Sequence, residues 1–182
     1  MLSVHFSPQF FGVGGLAALL IGLLMCPGQT EAQALVKLPA PVLQGTVPVE
    51  QALKKRRTVR HFANKPLTQE QLSQLLWAAY GVTDPRGLRS APSAGALYPL
   101  DIYVVIGERQ VSGLAAGVYH FLPEKQALES GRAGDVRQAV ARASLYQNWM
   151  AEAPVMIVIT GEYRRCQVKY GPRGVMYTHM ES

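Results

Sequence analysis

The sequence predicts an α+β fold, and three observations carry that expectation. Hydrophobic residues make up 48% of the 182 residues and charged residues 16%, a balance that supports a packed core rather than a disordered chain. Residues 101–107 (DIYVVIG), by their β-branched content, read as a strand, as do 117–122 (GVYHFL) and 154–160 (PVMIVIT). Helical patterns lie between them without strict strand–helix–strand alternation, which favours α+β over a doubly wound parallel sheet. The length suits one ordinary domain and is marginal for two.

The elements follow in chain order. Residues 10–25 (FFGVGGLAALLIGLLM) carry no charge, and Glu31 is the sole charged side chain before Lys37. That apolar run is shorter than the roughly 20 residues of a membrane span but suits the core of an export signal. Ala32, Gln33 and Ala34 supply a small-x-small cleavage pattern beyond it, so residues 1–34 are expected to be a signal peptide and the protein exported. Two weaker features leave an uncleaved anchor over residues 10–25 as the alternative: the run is preceded by no Lys or Arg, and Met25 before Cys26 is too large for a lipoprotein box. The nominal G-x-G-x-x-A of Gly12, Gly14 and Ala17 follows no strand and is set aside as a dinucleotide site.

Residues 35–48 (LVKLPAPVLQGTVP) hold three prolines and a glycine and read as an extended lead-in, with the domain beginning near residue 46. Val49 to Lys55 forms a short helix with Pro48 at its first turn. Thr68 and Gln71 fit a capping box, Leu72, Leu75, Leu76 and Ala79 follow at helical spacing, and Gly81 offers the stop. Residues 82–99 are rich in Gly, Pro and Ser and read as a loop, and residues 134–143 as a further helix. There is no internal repeat.

Several chemistries are excluded. Without residues 1–34, Cys166 is the one remaining cysteine, so neither an internal disulfide nor a cysteine-built zinc or iron–sulfur site is possible. His61, His120 and His179 lack metal-binding spacing, and no G-x-S-x-G nucleophile elbow occurs. The same removal leaves 18 basic against 11 acidic side chains, a net of +7. That balance is compatible with binding an anion such as phosphate. The basic residues are scattered apart from one run, so a nucleic-acid partner is not expected.

Two segments carry chemistry. In residues 54–62 (KKRRTVRHF), Arg56, Thr58 and Arg60 stand at i, i+2 and i+4, so an extended chain points all three one way. Two guanidiniums and a hydroxyl suit a phosphate monoester; a solvated helix end, with cations at the C-terminal dipole, is the plainer reading. In residues 91–99 (APSAGALYP), a stretch of small residues lets a ligand lie against the backbone and accept from its N–H groups. A tight loop packed under a helix gives the same composition.

In combination these motifs resemble the flavin-dependent nitroreductase superfamily, and within it the SagB-type (thiazole/oxazole-forming) dehydrogenases. The R-x-[ST]-x-R-x-F segment, the helix end at 75–81 (LLWAAYG) and the 91–99 loop occur in the expected order, followed by 117–120 (GVYH), Trp149-x-x-Glu152-Ala153-Pro154 and 169–174 (KYGPRG). The resemblance covers residues 46–182. It implies a nitroreductase-like fold, a mixed sheet flanked by helices, that binds FMN in a cleft shared by the two subunits of an intertwined homodimer. Carried over by position, Arg56, Thr58 and Arg60 would hold the FMN phosphate, with Thr58 where family members often have Ser. Pro92, Ser93, Ala94 and Gly95 would line the isoalloxazine ring. Lys169 and Tyr170 match a Lys-Tyr pair tied to catalysis in azoline-oxidising members. Oxidising an azoline removes one proton while hydride goes to flavin N5, and a lysine, or a tyrosine beside it, is a suitable general base. A surface lysine beside a core-packed aromatic is the other reading of that pair.

Residues 177–182 (YTHMES) fall where family members are entering a long helix, so the domain is expected to be incomplete at its C-terminus. The expected function is an FMN-dependent oxidoreductase acting on a small-molecule or peptide azoline. The alternatives are an NAD(P)H-dependent nitro or quinone reductase and a flavin-binding fragment without turnover. Export favours a substrate that itself donates hydride, because NAD(P)H is scarce outside the cytoplasm.

Overall fold

The computed structural model describes residues 34–182, and the export segment expected over residues 1–34 lies outside them but for Ala34. Five strands form one sheet: β1 (Leu35–Lys37), β2 (Leu100–Ile106), β3 (Gly117–Leu122), β4 (Ala127–Ala133) and β5 (Val155–Gly161). Their order is β1-β4-β3-β2-β5. Every neighbouring pair is antiparallel, with Val104 opposite both Tyr119 and Ile157. The expected mixed sheet is therefore corrected to an antiparallel one among the described residues. Between β3 and β4 the cause is the short connection. A turn at Pro123–Lys125, closed by Gln126 at φ 44°, reverses β3 into β4, whereas a parallel neighbour needs a crossover of a dozen residues or more.

Helices cover both faces. Helix α1 (Val49–Lys55) runs as the sequence predicts but buries no residue. Helix α2 (Gln69–Tyr80) starts at the expected capping box: the Gln71 N–H donates to Thr68 Oγ1 at 3.3 Å and the Thr68 N–H to Gln71 Oε1 at 3.0 Å. Its Leu72, Leu76 and Tyr80 pack with Ile102, Val104 and Ile106 of β2 on one face of the sheet. Burying each leucine contributes about 1.5–3 kcal/mol. Gly81 ends α2 in an extended conformation, φ −71° and ψ 155°, so left-handed freedom is not what it supplies. Space is: a Cβ there would lie 2.3 Å from Trp77 Cδ1.

Val105 and Met156 face the other way, against Ala141 of α3 (Arg137–Ala143) and Ala151. Helix α3 begins three residues later than the sequence predicts because Gly134 stands at φ 90°, outside any helix. Several elements lie in stretches read from sequence as lead-in or left unassigned, the helix Tyr163–Tyr170 among them. Strand β1 sits in the lead-in, with Leu38 beside it in the core, and β4 crosses polar residues 129–132. Helices α4 (Tyr163–Tyr170) and α5 (Arg173–Glu181) close the described chain. They meet through Gly174, where a Cβ would come within 2.6 Å of the Cys166 carbonyl carbon. Among the described residues no helix is long and apolar enough to cross a membrane.

Candidate active site

The 91–99 loop joins α2 to β2 and has an unusual backbone. A single 3-10 turn, Ala94–Ala96, carries Gly95 at φ 65°, followed by Ala96 at φ 55° and Tyr98 at φ 47°. Left-handed conformations at non-glycine residues cost on the order of 1–2 kcal/mol each, so the surroundings must enforce them.

Those surroundings are specific. The Ser93 hydroxyl accepts from the Tyr98 N–H at 2.9 Å and donates to Glu181 Oε2 at 2.5 Å. The Tyr80 hydroxyl donates to the other oxygen of the same carboxylate at 2.6 Å and accepts from the Leu100 N–H at 3.3 Å. Burial, reinforced by the bond to Glu181, pushes the Tyr80 phenol far above the usual tyrosine value, so it stays a donor at neutral pH. On the far side, the Arg89 guanidinium lies 4.4 Å from the Tyr80 ring centroid and 4.6 Å from that of Tyr98, and its tip pairs with Glu124. Arg165 of α4 donates to the Tyr98 carbonyl at 3.2 Å and grips both oxygens of Asp101.

The same loop meets the Lys-Tyr pair. A Cβ built on Gly95 would lie 2.7 Å from the Tyr170 hydroxyl and 2.9 Å from Lys169 Nζ. The structure thus brings the small-residue loop and the end of α4 together, although about 75 residues separate them in sequence. Tyr170 is half-buried, edge-on to Tyr177 at 4.9 Å between centroids, while Lys169 is exposed. Beside them a hollow of about 330 Å³ is lined by Pro92, Ser93, Ala94, Tyr177, Met180 and Glu181. That volume is at the lower end for small-molecule sites. A second hollow of similar volume lies behind the loop, against Arg89, Tyr98, Asp101 and Arg165. Its charged groups are already paired with one another.

Arg56, Thr58 and Arg60 are exposed, in a stretch without regular structure after α1. Arg60 sets its guanidinium 5.4 Å from the Trp149 ring centroid, and Arg57 folds back onto the carbonyls of Lys54 and Arg56. Among the described residues none of the three pairs with a carboxylate, and no hydrogen bond ties them to the loop or to Lys169 and Tyr170. So of the sequence-predicted site residues, Ser93, Gly95, Lys169 and Tyr170 are engaged around the loop, and Pro92 and Ala94 line the hollow beside it. Arg56, Thr58 and Arg60 take no part in these contacts. Sequence reasoning missed Tyr80, Arg89, Arg165 and Glu181. They come from α2, the loop after it, α4 and α5, and no local spacing joins them.

The nitroreductase family profile matches residues 53–182. A Methanocaldococcus jannaschii protein, provisionally named a nitroreductase, is 44% identical over 135 residues, 74% of this chain and 67% of that protein. A crystal structure from Ralstonia eutropha JMP134, also assigned provisionally to the nitroreductases, superposes with TM-score 0.67 at 30% identity, covering 89% of this chain and 72% of that one. A second, from Anabaena variabilis, gives TM-score 0.60 at 25% identity over 83% of this chain and 29% of that one. The Escherichia coli microcin synthetase McbBCD complex shares the fold at TM-score 0.50 and 22% identity, over 91% of this chain and 65% of that one.

Proposed function

The chain belongs to the nitroreductase family of oxidoreductases, and from that premise we propose that it is an FMN-dependent enzyme that oxidises a small-molecule or peptide azoline in the manner of SagB-type dehydrogenases. The observation that carries this reading is the meeting of Gly95 with Lys169 and Tyr170. It joins the loop suited to a flat ligand with the two side chains suited to proton transfer.

The residues present fit a flavin. At Gly95 the absent side chain lets Tyr170 and Lys169 come up against the backbone, where a Cβ would clash with both, and Pro92, Ser93 and Ala94 line the hollow beside it. Arg56, Thr58 and Arg60 offer a phosphate two guanidiniums and a hydroxyl that no carboxylate occupies. Pro92, Ser93, Ala94 and Gly95 would line the ring system. When bound, FMN supplies a two-electron acceptor that takes hydride from the substrate. The chain's own part is the proton: converting an azoline to an azole removes one hydride and one proton, and Lys169 Nζ or the Tyr170 oxygen takes the proton.

Two further features complete the reading. The protein acts as a homodimer, which would cover Val168, Met176 and Met180, exposed at 89%, 52% and 76% on α4 and α5. It acts outside the cytoplasm, as the uncharged run 10–25 and the Ala32–Ala34 cleavage pattern suggest. The family name of the Methanocaldococcus relative supports a second reading, an NAD(P)H-dependent reductase of nitro compounds or quinones.

Turnover separates these readings. Lys169→Ala and Tyr170→Phe are expected to slow azoline oxidation by about 10²–10⁴-fold, the usual worth of a general base, with the flavin still bound. Unchanged turnover in both variants would remove the base assignment. Rapid bleaching of bound flavin by NADPH, with no oxidation of an azoline, would favour the reductase.

A further inference from the structure

We propose that Glu181 is a positioning residue, whose carboxylate ties Tyr80 and Ser93 together and holds the 91–99 loop in its ligand-facing conformation.

This one side chain links α5 to α2 and to the loop, and through Tyr80 to β2: Glu181 ends α5, Tyr80 ends α2, Ser93 lies in the loop, and Leu100 begins β2. The two carboxylate oxygens each take one hydroxyl, from Tyr80 at 2.6 Å and from Ser93 at 2.5 Å. Having donated, each hydroxyl is free to accept a backbone N–H, and each does so. Ser93 accepts from Tyr98, closing the loop between residues 93 and 98, and Tyr80 accepts from Leu100, fixing the loop's exit into β2. A carboxylate is suited to this post because it accepts at both oxygens and donates at neither. A carboxamide would meet one of the two hydroxyls with a donor of its own.

The chain of bonds encloses the strained part of the loop. Gly95, Ala96 and Tyr98, the three left-handed residues, lie between the two points that Glu181 secures. Released from that hold, Ala96 and Tyr98 would relax toward ordinary backbone. Gly95 would then leave the Lys169 amine and the Tyr170 hydroxyl. Pro92, Ser93 and Ala94 share the hollow's wall with Glu181 itself, so the residue that holds the loop also borders the space a ligand would enter. What the loop is held for rests on the flavin reading above; that it is held does not.

The test uses the purified full chain. Amide exchange over residues 93–98, followed by mass spectrometry without added flavin, is expected to rise about tenfold or more in Glu181→Ala and in Ser93→Ala. Peptides from β2 and β3 should keep their wild-type rates. Tyr80→Phe keeps the ring in the core, removes the hydroxyl alone, and should speed the same segment. The Glu181→Ala/Ser93→Ala double variant should fall short of the sum of the two single effects, because both changes remove the Ser93–Glu181 bond. Glu181→Gln should fall between wild type and Glu181→Ala. In a parallel FMN titration, Glu181→Ala should weaken binding about tenfold or more. Unchanged loop exchange, or a rise spread evenly over the chain, would overturn the proposal. So would a freed loop with wild-type FMN affinity in a protein that Arg56→Ala/Arg60→Ala deprives of flavin. If the wild type binds no FMN, the flavin reading fails, and exchange alone then decides whether Glu181 holds the loop.

Discussion

At Gly95 conformation and space make the same demand. Its φ of 65° is open to glycine and strained for other residues, and the volume a methyl would take is already bordered by Tyr170 and Lys169. Gly95→Ala is therefore expected to cost about 1 kcal/mol in stability from the backbone and, separately, to push the loop off the Lys-Tyr pair. Thermal unfolding should show a small loss while flavin affinity falls more steeply; a variant with wild-type affinity would argue against a ligand at this point. Tyr80 gives a second test. Its folded-state value is raised above the unfolded value near 10 by burial and by Glu181, so its contribution is complete below pH 10 and is lost as pH climbs beyond it. Tyr80→Phe should flatten that alkaline loss in a pH series of unfolding midpoints. Gly95, Lys169 and Tyr170 were legible because ordered motifs carry them. Glu181 was not, because its partners Tyr80 and Ser93 lie 101 and 88 residues away.

Helix α2 and the sheet divide in the same way. The signals of α2 are local: a capping box, leucines at helical spacing and a terminal glycine. Thr68→Ala is expected to remove about 1 kcal/mol and Leu76→Ala about 2–5 kcal/mol, read from denaturant midpoints. An equal, negligible effect of both would mean that α2 does not anchor the core. The strand 117–122 is likewise local, with alternating burial under an apolar sequence. What escaped was pairing. Strand β4 carries Glu129, Ser130, Gly131 and Arg132 toward its exposed end, and owes its conformation to β3 rather than to its own composition. The antiparallel pairing of β2 with β5 is also set by tertiary context, since β3, β4 and α3 all intervene between their sequences and their register is fixed only in the fold.

At the scale of the whole molecule, the basic excess read from composition has a partly local meaning. Arg56 and Arg60 pair with no carboxylate among the described residues, whereas Arg86, Arg89, Arg137 and Arg165 hold Asp84, Glu124, Asp135 and Asp101. Arg137 holds the Asp135 carboxyl below the usual aspartate range. That contribution is present above the unfolded value near 3.9 and is lost as pH falls through the lower, folded value, so Asp135→Asn should reduce the acid-side slope of stability against pH. A ligand that binds the folded chain alone raises its unfolding temperature by mass action, so FMN should stabilise the wild type in a concentration-dependent way. The most direct measurement is an equilibrium titration of FMN into the purified chain, followed by flavin fluorescence and visible absorbance. It is to be repeated with Gly95→Ala and with Arg56→Ala/Arg60→Ala. The expected result is saturation at one FMN per chain, weakened about tenfold or more by either change. A wild type that does not saturate, or variants that bind as tightly as it does, would contradict a flavin site built from this loop and these arginines.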